Sequence, residues 1–109
     1  SLTVGFLIRD RVGNDAFGTN TYHLAAPAPL LVAGKRYACE FAIGAMALGQ
    51  GHYSISVALH ESDSHLVRNH DWWDHALVFQ VLRANEPHRI GIANLPTRPS
   101  GAMPIGAQP

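Results

Sequence analysis

The chain is short of the features that announce chemistry. It has one cysteine, Cys39. A single thiol closes no internal disulfide, so there is no disulfide framework, and a reducing compartment is compatible with the composition. Cys39 falls in an apolar alternation, where a free Cys is expected to act as a small core hydrophobe. No apolar run approaches the roughly 18 residues of a membrane span. Lys and Arg number 8 and Asp and Glu 8, a formal net charge of zero. That balance argues against nucleic acid or an anionic membrane as the main partner, since both reward clustered cations. The 7 histidines would make the surface cationic below about pH 6.5. Helical periodicity is also hard to find.

The standard catalytic patterns are missing too. No Ser lies in a Gly-x-Ser-x-Gly elbow. Ala33-Gly34-Lys35 lacks the upstream glycine of a phosphate loop. His60, Glu61, His65, His70, Asp71, Asp74 and His75 crowd together, but their spacing matches no zinc signature. We therefore expect no metal, no cofactor and no enzyme activity. The start, Ser1-Leu2-Thr3-Val4, looks like neither a signal peptide nor a natural beginning, so the chain reads as a piece of something longer.

With 109 residues, 47% of them hydrophobic, the chain suits one domain with a real core. Period-2 alternation recurs along it. Thr3 to Arg9 reads as a strand with Val4, Phe6 and Ile8 on one face. Residues 10–15 are turn chemistry, and Ala16 to about Leu24 completes a hairpin. Pro27 and Pro29 mark a crossing loop. Arg36 to Ala45 alternates cleanly, with Tyr37, Cys39, Phe41 and Ile43 facing one way. Tyr53 to His60 is the best strand of all. Glu61 to Asp74 reads as a long polar loop of the kind that serves binding. Ala76 to Arg83 and His88 to Leu95 read as two further strands. Residues 1–95 thus form a β-sandwich domain of about six strands, and 96–109 a Pro/Gly-rich tail. Six strands leave open edges, which implies a dimer or a missing neighbour strand.

Asp71-Trp72-Trp73-Asp74 is the most informative local feature. Adjacent residues in a strand point to opposite faces, so one Trp could plug the core while the other offers its ring to a ligand. Sugars stack on such rings and pair their hydroxyls with Asp, Asn, His and Arg. Both rings serving as core or loop anchors is the competing reading. The first hairpin is polar at its tip, where ion pairs and Asx-turns explain most of the residues. Asn20 and Tyr22 beside it are further ligand candidates, with Tyr53 a weaker one.

The hairpin Gly5-Phe6-Leu7-Ile8-Arg9-Asp10-Arg11-Val12-Gly13-Asn14-Asp15-Ala16-Phe17-Gly18-Thr19-Asn20-Thr21 strongly resembles the signature of one family. Gly51 to His60, followed by Asp71-Trp72-Trp73-Asp74, resembles it as well. The family is the C-terminal polysaccharide-binding domain of Wzt-type subunits, the ATP-binding components of O-antigen ABC transporters. The resemblance covers residues 4 to about 83. It implies an all-β, immunoglobulin-like antiparallel sandwich that dimerises, with strand exchange between protomers. It implies O-antigen polysaccharide, the ATPase domain and a membrane subunit as partners, and no nucleic acid. The location it implies is cytoplasmic, peripheral to the inner membrane of a Gram-negative bacterium. Family members usually carry strands before this hairpin, and the tail from Pro96 does not resemble an ordinary closing strand.

The resulting expectation is a non-catalytic carbohydrate-binding domain that serves polysaccharide export. Its carbohydrate-binding candidates are Trp72, Trp73, His60, Asp71, Asp74, Tyr22 and Asn20. The rival is an accessory sandwich fused to a glycan-modifying enzyme such as a methyltransferase.

Overall fold

The computed structural model describes residues 2–26, 31–63 and 66–106, except for the side chains of 62–63 and 66–70. Among the described residues four strands form: β1 (Leu2–Asp10), β2 (Asp15–Asn20), β3 (Gly51–Asp63) and β4 (Leu66–Val81). They make one antiparallel sheet in the order β2-β1-β3-β4. No helix occurs among the described residues, so the chain is all-β.

The alternation read from the sequence decides the two faces. Register places Phe6 opposite Val57, Ile8 opposite Ile55 and Val4 opposite Leu59. On β4, Leu77 and Phe79 stand opposite Ile55 and Tyr53. One face is therefore apolar across β1, β3 and β4. The other carries Thr3, Arg9, Ser54, Ser56 and His60.

The β1–β2 turn is organised by one carboxylate. Asp10 Oδ1 accepts the backbone N–H groups of Val12 and Asn14, and Oδ2 accepts the Asn14 side-chain amide. Gly13 supplies the left-handed residue that the turn requires, with φ 91°. Burial closes only one end of the sheet. There Ile8, Leu48, Tyr53 and Val81 pack with Phe6, Ala16, Ile55, Phe79 and Ile92. Residues 46–50 and 91–94 cross this end, joined by a Leu48–Ala93 bridge and an Asn94 N–H bond to the Ala47 carbonyl. The Arg83 guanidinium clamps them, donating to the carbonyls of Met46 and Leu48. The Tyr53 hydroxyl donates to the Gly49 carbonyl at 2.7 Å.

The other end stays open on its apolar face. There Trp73 is 62% exposed, and on the β4 edge beside the closed end Leu77 is 55% exposed. Leu31 and residues 37–40 line a cleft of about 930 Å³ with Trp73. The radius of gyration is 20.5 Å and the extents are 78 × 30 × 22 Å. A compact chain of this length would have a radius near 13 Å. Among the described residues no second layer covers the whole apolar face.

Three expectations change. Residues 36–45 form no strand, because their backbone finds no partner among the described residues. Tyr37 and Ile43 are exposed, as is Cys39, which was expected in the core. Only Phe41 packs inward, edge-on to Phe6 at 4.9 Å. Second, 61–74 is mostly strand. β3 and β4 continue through Asp63 and Leu66, and their pairing is interrupted by two bulges. Third, 88–95 forms no strand beyond the single bridge at Ala93. Residues 96–106 are exposed and carry no regular structure.

Candidate functional site

Trp72 pairs with Ala58 and Trp73 with Val57, so the two indoles stand on opposite faces of β4. Trp72 lies on the polar face. Between Val57 and Ile55 on β3, β4 advances from Trp73 to Leu77. The two extra residues form a bulge, with His75 in the left-handed region at φ 50°. Beside the bulge, Asp74 meets Ser56 across the strands.

A compact polar cluster results. Asp74 Oδ1 accepts the Trp72 indole N–H at 2.8 Å and the buried Ser56 hydroxyl at 2.9 Å. Arg9 Nη1 reaches the same oxygen at 3.5 Å, while Arg9 Nε donates to Asp15 at 3.2 Å. The Arg9 guanidinium carbon sits 5.9 Å from the Trp72 ring centroid, at the limit of a cation–π contact. The bond from Trp72, then that from Ser56, holds the Asp74 carboxyl below the usual carboxylate range, with Arg9 and His75 adding to the effect. Asp74 is therefore an anion at neutral pH. Such exposed ion pairs add little stability. Their effect is positional, because they tie an indole that remains 47% exposed to the sheet.

Small residues make room for this surface. Across the sheet one row reads Asn20, Gly5, Ala58, Trp72. A Cβ on Gly5 would lie 3.1 Å from the Asn20 Cβ, tighter than ordinary contact. Asn20 and Trp72 thus flank a floor of Gly5 and Ala58.

The expected residues divide between the faces. Trp72 and Asp74 come together on the polar one. His60 is half-buried on that face, opposite Thr3. Asn20 shares it, but its side-chain oxygen accepts the His23 N–H and caps the following turn. Trp73, Asp71 and Tyr22 line the cleft on the apolar side, together with Tyr37 and Glu40. Asp71 also accepts its neighbour Trp72's backbone N–H. Tyr53 is buried in the core and so corrected as a ligand candidate. Among the described residues no group of three or more His, Cys, Asp or Glu gathers to hold a metal. His65 and the side chain of His70 lie outside the described residues.

Sequence reasoning missed Arg9 and Ser56. Arg9 ends a strand beside the polar hairpin tip, and Ser56 lies among the polar positions of the strand that begins at Tyr53. Their one signal was an alternating Ser54/Ser56 face on the strand that pairs with the Trp segment.

Fold and face together define a β-sheet domain with a polar, aromatic surface on one side and an open apolar side on the other. The chain belongs to the Wzt C-terminal domain family, whose match spans residues 1–95. That family is a transporter-associated one in the O-antigen ABC transporter context, as the C-terminal domain of the ATP-binding subunit, and it is not a catalytic family. No curated protein matches the chain.

Proposed function

We propose that the domain is a non-catalytic carbohydrate-binding module that engages O-antigen polysaccharide for export. The observation that carries this reading is the half-exposed Trp72 indole, anchored through its N–H by Asp74 and bordered by Arg9. An aromatic ring offers the apolar patch a sugar needs, and the charged groups beside it offer hydrogen bonds. Trp73 is not the stacking ring in this account. It belongs to the apolar face, which a second layer about 10 Å away would cover.

That second layer comes from another copy of the chain. The open apolar face, the exposed alternating segment 36–43 and the extended shape all favour a homodimer with exchanged segments. Open apolar faces and unpaired edges are seldom left uncovered in solution. In the cell, the dimer would sit on the cytoplasmic side of the inner membrane beside the ATPase domain and the membrane subunit. Engagement of a finished polymer would then act as a check before export.

The test is isothermal calorimetry of the purified domain against the O-polysaccharide of the strain that encodes it, beside analytical ultracentrifugation. Saturable binding by a dimeric species is expected. A folded dimer that binds no polymer would overturn the carbohydrate reading and leave an accessory interaction domain. A folded monomer would overturn the dimer.

A further inference from the structure

Asp74 has two carboxylate oxygens, and the protein uses one of them. Oδ1 accepts from Trp72, Ser56 and Arg9. Oδ2 accepts from no described residue, and the side chain is 54% exposed. Arg9 is half used in the same way. Its Nε and Nη1 are taken by Asp15 and Asp74, while Nη2 donates to no described residue. Both side chains border the exposed Trp72 ring: the Arg9 guanidinium carbon lies 5.9 Å from its centroid, and Asp74 accepts its indole N–H.

The chemistry of these two atoms restricts what they can bind. A carboxylate oxygen only accepts, so its partner must bring a proton. A guanidinium nitrogen only donates, so its partner must bring a lone pair. A hydroxyl satisfies either one, and two neighbouring hydroxyls on one ring satisfy both together. We propose that Asp74 Oδ2 and Arg9 Nη2 recognise adjacent hydroxyls of a sugar ring stacked on Trp72. The site then selects a pyranose whose hydroxyl facing Asp74 is unsubstituted. This inference rests on the carbohydrate reading of the polar face. Masking the hydroxyl at Asp74 removes the proton that the sugar would donate to Oδ2.

Asp74→Asn isolates the role of Oδ2. The amide oxygen can still accept from Trp72 and Ser56, while an NH₂ donor replaces Oδ2. Calorimetry would compare wild type and D74N on the native O-polysaccharide. Wild type would also be tested on polymer whose vicinal diols have been cleaved by periodate and then reduced with borohydride. Near-UV circular dichroism would report whether the Trp72 environment is kept. A charge-assisted bond is roughly twice as strong as a neutral one, so D74N should bind about ten-fold more weakly with its Trp signal unchanged. Periodate-treated polymer should lose at least about ten-fold in affinity for wild type, a discrimination of about 1.4 kcal/mol. The periodate arm uses wild-type protein, so it decides the matter even where D74N misfolds. Unchanged affinity for oxidised polymer, or a folded D74N that binds like wild type, would overturn the diol and leave the carbohydrate reading standing. No binding of native polymer by wild type would overturn both.

Discussion

The two faces of this sheet differ in how far one chain completes them. The polar face is tied together within one chain: Ser56, Trp72 and Arg9 all converge on Asp74 Oδ1, and Arg9 is held in turn by Asp15. The apolar face is completed at one end only, where Ile8, Tyr53 and Val81 pack under residues 46–50 and 91–94. Its other end leaves Trp73 in solvent, and the β4 edge leaves Leu77 exposed too. Hydrogen bonds can finish a surface locally. Apolar burial needs a second layer, and this chain brings only part of one. The adjacent Trp residues therefore stand in different surroundings, Trp72 bonded into the polar cluster and Trp73 exposed on the open apolar face.

Substitutions can break this comparison, beginning with the largest effect. Ile8 is almost fully buried in the closed end. Ile8→Ala should cost about 2–5 kcal/mol, read from urea unfolding midpoints. A loss below about 0.5 kcal/mol, the range of ordinary surface substitutions, would mean that this end is not packed as described. The hydroxyl of Tyr53 makes one buried bond, to Gly49. Tyr53→Phe should remove about 1 kcal/mol and leave glycan binding intact. On the exposed β4 edge, Leu77→Ser should weaken self-association more than it weakens the fold of an isolated chain, as sedimentation equilibrium against unfolding curves would reveal.

Acid separates the faces as well. Asp74 is held below the usual carboxylate range first by the Trp72 bond, and Asp10 first by the Asn14 side chain. Both carboxyls have folded values below their unfolded ones. Their contribution is therefore present above the unfolded value and disappears as pH falls through the depressed folded value. Polar-face order and the β1–β2 turn should loosen below about pH 4, while the apolar core contributes no such titration. Trp fluorescence and amide exchange across pH 3–7 would check this. Loosening on the alkaline side instead would contradict it. The smallest effect is expected at Cys39, which is exposed. Cys39→Ser should change monomer stability by less than about 0.5 kcal/mol.

Much of the fold was legible where local pattern and pairing agree. The alternation of Val4, Phe6 and Ile8 and that of Tyr53, Ile55 and Val57 places β1 and β3 correctly, and the turn residues 10–15 place the hairpin. The opposite-facing Trp pair follows from the two-residue period of a strand. Residues 36–45 carry the same alternation, yet alternation reports a face and not a partner. Without a neighbouring strand their backbone stays outside the sheet. The segment 61–74 misled in the other direction. Its polar residues and two bulges hide the period of β3 and β4, so paired strand read as loop. The site was half legible. Trp72 and Asp74 stand two residues apart, as a strand face requires, but Arg9 lies 65 positions from Asp74 and Ser56 lies 18 away. Only the sheet order and the bulge bring them together.

The measurement that tests the central claim most directly is a paired titration of Trp72→Ala and Trp73→Ala with the O-polysaccharide, each variant also examined by ultracentrifugation. The account predicts that Trp72→Ala stays folded and dimeric and binds at least about ten-fold more weakly, a loss of about 1.4 kcal/mol or more. It predicts that Trp73→Ala weakens the dimer first. Retained binding by Trp72→Ala, with binding lost in a folded, dimeric Trp73→Ala, would contradict it and move the glycan to the cleft on the apolar face.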